Sequence, residues 1–309
     1  MLDLQINQNF VDEIRERIEA EKFLLNEPMK EHTTFKIGGP ADYLIFPSSI
    51  DEVAFIFHTL GKYGIPFVIL GNGSNVLVLD RGIRGAVIKF DSPMSFIKRN
   101  DVRITAGAGA LLQDVSNFAV KNSLAGMEFA CGIPGSIGGA VFMNAGAYDG
   151  EMKSIVEGVR AVSPKGEVTE FEVDDLDFSY RHSVFQKNGY AVCEVELKLI
   201  PGDKKNIEEK VAGFTKRRES KQPLEMPSAG STFKRPEGYY AGTLIEQTGL
   251  KGFAVGGAEI SVKHAGFVVN TGGATAKDVL ELIRQVQQRV FEKNGVRLFP
   301  EVRILGEAE

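Results

Sequence analysis

The segment "ILGNGSNVLV", at Ile69–Val78, places five small or amide-bearing residues between two aliphatic runs. Glycine permits positive φ and lets the backbone approach a ligand closely, and successive free N–H groups in such a turn form an anion-binding concavity. The loop lacks the lysine of the Gly-x-x-x-x-Gly-Lys phosphate loop, and Val76 stands where the fingerprint Gly-x-Gly-x-x-Gly needs its third glycine. Turn chemistry alone supports an anion cradle and a plain tight turn between two buried strands about equally.

The composition is that of an ordinary soluble globular protein, with 43% hydrophobic and 25% charged residues among 309, and this length predicts two or three domains. A net charge of −5 argues against a general nucleic-acid binder, and no apolar run reaches the ~18 residues of a membrane span. The two cysteines show neither metal-ligand spacing nor a disulfide framework, and the N-terminal "MLDLQINQNF" lacks the regions of a signal peptide. We therefore expect a cytoplasmic protein with no membrane or nucleic-acid partner.

Helical periodicity is clearest in three segments. Residues 9–23 form one amphipathic stripe, and a second helix is bounded by Ser49 as N-cap and Gly64 as stop. A long helix follows Thr275, with Asp278 at the capping-box position. The apolar residues that these patterns predict to be buried are Phe10, Ile14 and Ile18 in the first helix and Val279, Ile283, Val286 and Val290 in the last.

Strand signals dominate the middle of the chain. Residues 190–201 alternate apolar and polar side chains, as in a half-buried strand. A polar loop is predicted at residues 228–236 and a closing strand at 296–306. The break at Pro201-Gly202 and the polar residues after it indicate a domain boundary. The predicted division is an N-terminal helix with a first lobe over residues 1–90, a second lobe over 91–201 and a C-terminal domain over 202–309.

A second glycine-rich stretch, "CGIPGSIGGAVFMNAGAYDGEM", spans Cys131–Met152. Two lysine-free glycine loops from distant parts of the chain indicate backbone donors that close on one extended, phosphate-bearing ligand. The alternative is a helix of small residues that packs tightly against a sheet. Because glycine inside a helix costs about 1 kcal/mol relative to alanine, five glycines in this stretch favour the ligand.

These two stretches, with "SYRHSVF" at 179–185, "AGSTFKRP" at 229–236 and "FPEVRILG" at 299–306, resemble a known family. The glycine loops look like those of the vanillyl-alcohol-oxidase-type FAD proteins. The whole set, from His32 to Gly306, resembles the UDP-N-acetylenolpyruvoylglucosamine reductase family in its shorter form. The resemblance implies an α+β fold, with a two-lobed FAD-binding domain of this type and a C-terminal α+β substrate-binding domain.

The activity implied by the resemblance is the NADPH-consuming, FAD-dependent reduction of UDP-N-acetylglucosamine enolpyruvate to UDP-N-acetylmuramate, a step of peptidoglycan precursor synthesis. FAD is expected to be non-covalent, since neither histidine nor cysteine occurs within Gly71–Asn75. NADPH and the enolpyruvyl substrate are the expected partners, and a monomer is expected. The four histidines show no metal-ligand spacing, so no metal site is expected.

The cofactor-binding residues implied by the resemblance come from both glycine-rich stretches. The first group cradles the FAD pyrophosphate and consists of Gly71, Asn72, Gly73, Ser74 and Asn75. The second group lies along the flavin and consists of Gly132, Ile133, Pro134, Gly135, Ser136, Gly138, Gly139, Asn144, Ala145 and Gly146.

Three catalytic residues are implied in the same way: Ser231 as proton donor, with Arg181 and Glu301 as stabilisers of the charge that develops on the substrate carboxylate. The guanidinium of Arg181 is suited to an enolate-like carboxylate. Residue types alone leave other roles open. Arg181 could be an ion-pair partner of Asp175 or Asp177, Ser231 an ordinary loop hydroxyl, and Glu301 an exposed edge residue.

Substrate binding requires positive charge near a UDP diphosphate. The predicted contacts are Arg217, Arg218 and Lys234 for the diphosphate, with Gln222, Asn270 and Tyr180 as further polar or ring contacts. A charge run such as "FTKRRESK" is otherwise a solvated helix face. The longer form of the family has a tyrosine that covers the substrate, and we transfer this role to none of Tyr190, Tyr239 and Tyr240.

Two rival functions remain at this point. A flavin oxidase of the same fold would pass electrons to oxygen, but the serine and glutamate motifs argue against it. A non-catalytic protein that binds UDP-sugar or flavin is the other rival. The presence of arginine, serine and glutamate at all three matched positions argues against that.

Overall fold

A computed structural model describes residues 6–307 of the chain. The first five residues of the N-terminal stretch used for the signal-peptide prediction lie outside this range. Within the described residues, no helix combines the length and the apolar character needed to cross a membrane.

The secondary structure mixes helices and strands throughout. The helices are α1 (Gln8–Ile14), α2 (Ile50–Tyr63), α3 (Leu112–Lys121), α4 (Ile137–Phe142), α5 (Phe185–Asn188), α6 (Lys204–Lys221), α7 (Ala241–Gln247) and α8 (Ala276–Asn294). The strands are β1 (Phe23–Pro28), β2 (Pro40–Ile45), β3 (Phe67–Leu70), β4 (Val76–Val78), β5 (Ile83–Lys89), β6 (Ile97–Asn100), β7 (Arg103–Gly107), β8 (Leu124–Ala125), β9 (Gly146–Ala147), β10 (Gly150–Glu151), β11 (Val156–Val162), β12 (Val168–Glu172), β13 (Ala191–Lys198), β14 (Ile200–Pro201), β15 (Ser228–Ser231), β16 (Ala254–Val255), β17 (Ala258–Ile260), β18 (Phe267–Asn270) and β19 (Arg303–Leu305).

The chain forms two compact units, and each is built from several separate segments. Unit 1 comprises Met1–Leu25, Asp42–Asn72 and Gly85–Arg217, and unit 2 comprises Asn26–Ala41, Gly73–Arg84 and Arg218–Glu309. These two units are defined by contacts between residues and not by their order in the chain. The predicted division into three consecutive domains, 1–90, 91–201 and 202–309, therefore stays a prediction.

Unit 1 contains most of one mixed sheet, in the order β1-β2-β5-β3, and an antiparallel sheet in the order β12-β11-β13-β7-β6. Strand β13 lies at the centre of the second sheet, and its alternation is as predicted: Ala191, Cys193, Val195 and Leu197 are buried. Helix α2 is also as predicted, because the Ser49 side chain accepts the Glu52 N–H and Gly64 ends the helix at φ +63°.

Unit 2 is an antiparallel sheet, β15-β18-β17-β16, with helices α7 and α8, and β4 pairs in parallel with β19. The predicted stripe of α8 is buried at all four positions. Its N-terminus is capped twice, because Thr275 and Asp278 form a capping box and the Asp80 carboxylate accepts the N–H groups of Ala276 and Lys277. This double cap satisfies the free donors of the first turn.

Two local predictions are wrong. The helix predicted over residues 9–23 ends at Ile14, because the chain turns back to place Phe23 edge-on against Phe10, at 6.1 Å between ring centroids; Ile18 is still buried. Residues 228–236 are not all loop, since β15 pairs with β18. The closing strand is short, and proline at 300, which has no N–H to donate, precedes it.

The capping box of α8 gives a stability prediction. Hydrogen bonds, first that from the Thr275 N–H, lower the pKa of Asp278. A lowered folded-state pKa means that this stabilisation is present above the unfolded pKa, about 4, and is lost as pH falls through the folded pKa. We expect Asp278→Asn to lower the free energy of unfolding by about 0.5 to 1 kcal/mol at pH 7. In urea titrations the difference from the parent should shrink at acid pH.

Glu292→Gln, at the opposite end of α8, is the matched control. Removing a negative charge near the C-terminus of a helix should leave the stability unchanged or raise it slightly. A destabilisation by Asp278→Asn that persists unchanged at low pH would contradict a role for the carboxylate charge.

Candidate active site

The two glycine-rich stretches meet inside unit 1. The Asn72 Nδ2 donates to the Pro134 carbonyl at 2.6 Å. A Cβ built on Gly71 would overlap the Ser136 Oγ and lie 3.5 Å from the Ser136 Cβ. Glycine at position 71 therefore leaves room for the Ser136 hydroxyl, whereas the predicted close approach of this backbone to a ligand stays a prediction.

The backbone donors at this meeting point suit a diphosphate. Within residues 6–307, the N–H groups of Asn72, Gly135 and Ser136, all in unit 1, make no hydrogen bond to a protein acceptor. Several adjacent free N–H groups in turns of this kind bind anions. These residues fit the pyrophosphate of FAD, and their contact with it stays a prediction.

The alternative for the second stretch is correct for part of it. Ile137–Phe142 form the short buried helix α4, with Ser136 as N-cap, and a Cβ on Gly138 would meet the Ala108 side chain at 2.8 Å. Gly138 therefore serves packing, whereas Gly132 and Gly135 precede the helix. Because Gly138 faces Ala108, its packing does not support the predicted contact with FAD.

The second half of the first loop belongs to unit 2. The Gly73 carbonyl accepts the Thr34 N–H at 3.1 Å, and Gly73 has φ +66° with the His32 carbonyl against its Cα. The flanking strands β3 and β4 do not pair with each other, since β3 pairs with β5 and β4 with β19. The loop is therefore not a simple hairpin turn.

Ser231 and Glu301, which are 70 positions apart in sequence, lie in one backbone network of unit 2. Ser231 is exposed at the end of β15. The neighbouring Thr232 is buried, and its carbonyl accepts the Glu301 N–H at 2.8 Å. The Glu301 carbonyl accepts from the Asn75 Nδ2 at 3.4 Å. The serine motif, the glutamate motif and the end of the glycine loop are thus directly connected.

Arg181 lies in unit 1, in a tight turn that the 179–182 bridge closes. Its φ is +54°, which is unusual for a residue with a side chain, and its Nη2 donates to the Gly146 carbonyl at 3.2 Å. The carboxylates proposed as alternative partners bind elsewhere: Asp175 accepts the Glu172 N–H, and Asp177 lies near His182 and Lys187.

Two predicted contact residues use their side chains inside the protein. Asn144 is buried at φ +41°; its Nδ2 donates to Glu151 and to the Ser179 carbonyl, and its Oδ1 accepts the Lys153 N–H. Asn270 donates to the Phe35 carbonyl and accepts two loop N–H groups. Both side-chain amides hold loops in place. The geometry does not support a direct contact of either side chain with a ligand, so these contacts stay predictions.

The predicted diphosphate residues have different environments. Arg217 stands over the Tyr148 ring at 5.4 Å, whereas Arg218 is buried and its Nη1 donates to Gln222 at 3.1 Å. Lys234 and Tyr180 are exposed. The alternative that this charge run is a solvated helix face is therefore wrong for Arg218, because its side chain is buried.

Sequence reasoning missed Lys89 and Thr232. Lys89 Nζ donates to the Gly71 carbonyl at 3.2 Å, and Thr232 links the serine and glutamate motifs. No local pattern marks either residue, because strand pairing brings both to their partners. The only signal for Thr232 is its place next to the matched serine.

The fold and the matches below define a flavin-dependent oxidoreductase. Residues 41–172 match the domain described as "FAD binding domain", and residues 222–305 match "UDP-N-acetylenolpyruvoylglucosamine reductase, C-terminal domain". The chain belongs to the UDP-N-acetylenolpyruvoylglucosamine reductase family. The predicted fold class is thereby confirmed.

Relatives and a solved structure support this assignment. The chain is 52% identical over 286 residues to the UDP-N-acetylenolpyruvoylglucosamine reductase of Clostridium perfringens strain SM101, covering 93% of this chain and 94% of that protein. It is 50% identical over 301 residues to that of Clostridium tetani, covering 97% of each. The crystal structure of UDP-N-acetylenolpyruvylglucosamine reductase from Thermus caldophilus aligns at TM-score 0.79 and 37% identity, over 92% of this chain and 98% of that one.

The close approach at Gly71 gives a second prediction. We expect Gly71→Ala to lower stability by about 1 to 3 kcal/mol and to weaken FAD retention, because the new methyl group overlaps the Ser136 Oγ. Ser136→Ala alone removes the cap to the Gly139 N–H, at about 1 kcal/mol. The double variant should lose less than the sum of the two single changes, since a Cβ at 3.5 Å is an ordinary contact.

The measurement is a double-mutant cycle of unfolding free energies and bound flavin per chain. Gly61→Ala is the control, because a Cβ at this position of α2 meets no atom within 4 Å and should be neutral or stabilising by up to about 1 kcal/mol. Strict additivity of the two changes would contradict the overlap.

Proposed function

We propose that the protein reduces UDP-N-acetylglucosamine enolpyruvate to UDP-N-acetylmuramate with NADPH and bound FAD, as a step in peptidoglycan precursor synthesis. The observation that supports this proposal is the network joining Thr232, Glu301 and Asn75, since it connects the residue next to the matched serine with the matched glutamate and with the end of the glycine loop. The family membership supports the same activity.

The reaction adds a hydride and a proton across the carbon–carbon double bond of an enol ether. The glycine-rich loops would hold FAD, which would supply the hydride-transfer chemistry between NADPH and the terminal carbon of the substrate. Ser231 donates its hydroxyl proton to the adjacent carbon, which has become basic, and regains a proton from solvent. Its exposed place at the end of β15 suits this exchange.

Charge stabilisation is the second task of the protein. As hydride arrives, negative charge spreads onto the substrate carboxylate, and fixed donors aimed at such charge lower the barrier. Arg181 supplies a permanent cation, and the turn with φ +54° together with the bond to the Gly146 carbonyl restricts its orientation. Glu301, whose N–H donates to the Thr232 carbonyl, serves as the second group at the substrate carboxylate, to which its carboxyl group donates a hydrogen bond only in the protonated form.

Binding of the UDP diphosphate is the task of the basic residues around Arg217 and Arg218, with Lys234 after the serine motif. Arg218 is held by Gln222 and is therefore preorganised, which reduces the entropy lost on binding. Gln222 then acts through Arg218, rather than by direct contact.

We also propose that the protein is a monomer in the cytoplasm. Both cysteines are buried and unlinked, and burial raises the pKa of the Cys193 thiol to about 12, so it stays a protonated, inert thiol. This agrees with a reducing compartment. Light scattering coupled to gel filtration should give the mass of one chain, and twice that mass would contradict the monomer.

Ser231→Ala separates the two half-reactions. We expect anaerobic bleaching of the flavin band by NADPH to keep its normal rate, because no substrate proton is involved. Reoxidation by the enolpyruvyl substrate should slow by about 10²- to 10⁴-fold, since the proton donor is lost. Stopped-flow absorbance measures both rates.

Ser228→Ala, at the other end of β15, is the matched control and should leave both rates unchanged. Normal reoxidation in Ser231→Ala would remove the serine from the mechanism. Reoxidation of the parent by oxygen alone, with no response to the enolpyruvyl compound, would favour the flavin oxidase instead.

A further inference from the structure

The turn at residues 179–182 carries Arg181, and two side-chain amides of unit 1 bind its backbone. The Asn144 Nδ2 donates to the Ser179 carbonyl at 3.0 Å. The Gln186 Nε2 donates to the Arg181 carbonyl at 2.9 Å. The turn is therefore held at two of its carbonyl groups, in addition to the bridge that closes it.

The side-chain amide of Gln186 donates to a second carbonyl as well. Its Nε2 lies 3.0 Å from the carbonyl oxygen of Phe142. Phe142 is the last residue of α4, and the carbonyls at the end of a helix lack partners within the helix. Gln186 itself is half-buried in the short helix α5. One side chain thus connects the Arg181 backbone to the end of α4.

These two hydrogen bonds require a donor group at position 186. Both partners are carbonyl oxygens, and the NH₂ group of a glutamine side chain can donate to two acceptors. A glutamate has nearly the same shape, but its ionised carboxylate has no hydrogen to donate. The role of Gln186 can therefore be separated from the volume that its side chain fills.

The backbone conformation of Arg181 gives the bond to its carbonyl a further consequence. Its φ of +54° lies in the left-handed region, which residues with a side chain rarely adopt. A return to an ordinary conformation would rotate the Cα–Cβ bond and redirect the guanidinium, whose Nη2 now donates to the Gly146 carbonyl at 3.2 Å. Because the peptide group is planar, a hydrogen bond to the Arg181 carbonyl holds the whole following peptide and opposes this rotation.

We propose that Gln186 is a positioning residue for the reaction: by binding the Arg181 carbonyl, it keeps the guanidinium in the orientation that serves the substrate carboxylate. The proposal rests on the proposed role of Arg181 in stabilising the charge on that carboxylate. A cation that is already oriented needs no reorganisation as the charge develops, so its benefit falls on the transition state. Loss of the bond from Gln186 should therefore slow the reaction more than it weakens substrate binding.

The test is a double-mutant cycle of Gln186→Met and Arg181→Ala. Reduced holoenzyme is mixed anaerobically with increasing concentrations of UDP-N-acetylglucosamine enolpyruvate, and stopped-flow absorbance gives the limiting rate of flavin reoxidation and the half-saturating concentration. We expect Gln186→Met to lower the limiting rate about ten- to hundred-fold and to change the half-saturating concentration by less than about threefold. In the Arg181→Ala background the same change should alter the limiting rate by less than about twofold, because no guanidinium remains to be positioned.

Ser183→Ala is the matched control, since the hydroxyl of the buried Ser183 donates to the same Phe142 carbonyl at 2.8 Å. This variant keeps the bond to the Arg181 carbonyl and should react at the limiting rate of the parent. A loss as large as that of Gln186→Met would overturn the proposal, because the bonds to Phe142 would then account for both effects. An equal loss from Gln186→Met with and without the Arg181 side chain would overturn it too.

Failure of the underlying assignment gives a different result. If Arg181→Ala is reoxidised as fast as the parent, Arg181 has no role at the substrate carboxylate, and the proposed function loses that residue. If Arg181→Ala is slow and Gln186→Met is as fast as the parent, Arg181 keeps its role and only that of Gln186 is lost. Circular dichroism and bound flavin per chain establish that each variant is folded. Gln186→Glu, with the same expected results at neutral pH, takes the place of Gln186→Met if the latter does not fold.

Discussion

The contact between the Gly71 backbone and the Ser136 side chain is the constraint on which the proposed cofactor site depends. The Ser136 Oγ occupies the space that a Cβ at position 71 would need, and the Asn72 Nδ2 donates to the Pro134 carbonyl at the same point. Among residues 6–307, no protein acceptor binds the N–H groups of Asn72, Gly135 and Ser136 in these two turns. Because these backbone amides are already oriented, they can bind an anion without a free-energy cost of reorganisation. Lys89 reaches the same turn from β5.

In unit 2, Thr232 is a comparable point at which several segments of the chain are held together by hydrogen bonds. Its neighbour Ser231 is exposed, while Thr232 is buried and uses all of its polar groups: the N–H donates to the Gly266 carbonyl, the carbonyl accepts from Glu301, and the hydroxyl accepts from Val268. A buried residue so constrained fixes the backbone on both sides of it. The Ser231 hydroxyl, which we propose as the proton donor, is therefore attached to a backbone that its neighbour fixes, although it lies at a strand end.

The local features of the fold were predictable from sequence, and the long-range ones were not. Helices α2 and α8 begin and end where Ser49, Gly64 and Thr275 indicate, because capping is a property of a few adjacent residues. The end of α1 depends on how Phe10 and Phe23 pack, and β15 exists only because β18 lies beside it. The candidate catalytic residues were placed by resemblance, since nothing in their residue types indicates that Ser231 and Glu301 are neighbours.

A crystal structure of the holoprotein would test the central claim most directly, through the distances from the FAD phosphate oxygens to the backbone nitrogens of Asn72, Gly73 and Ser74. We predict hydrogen bonds of about 3 Å from this turn to the diphosphate. A diphosphate held elsewhere, with these N–H groups facing only water, would contradict it.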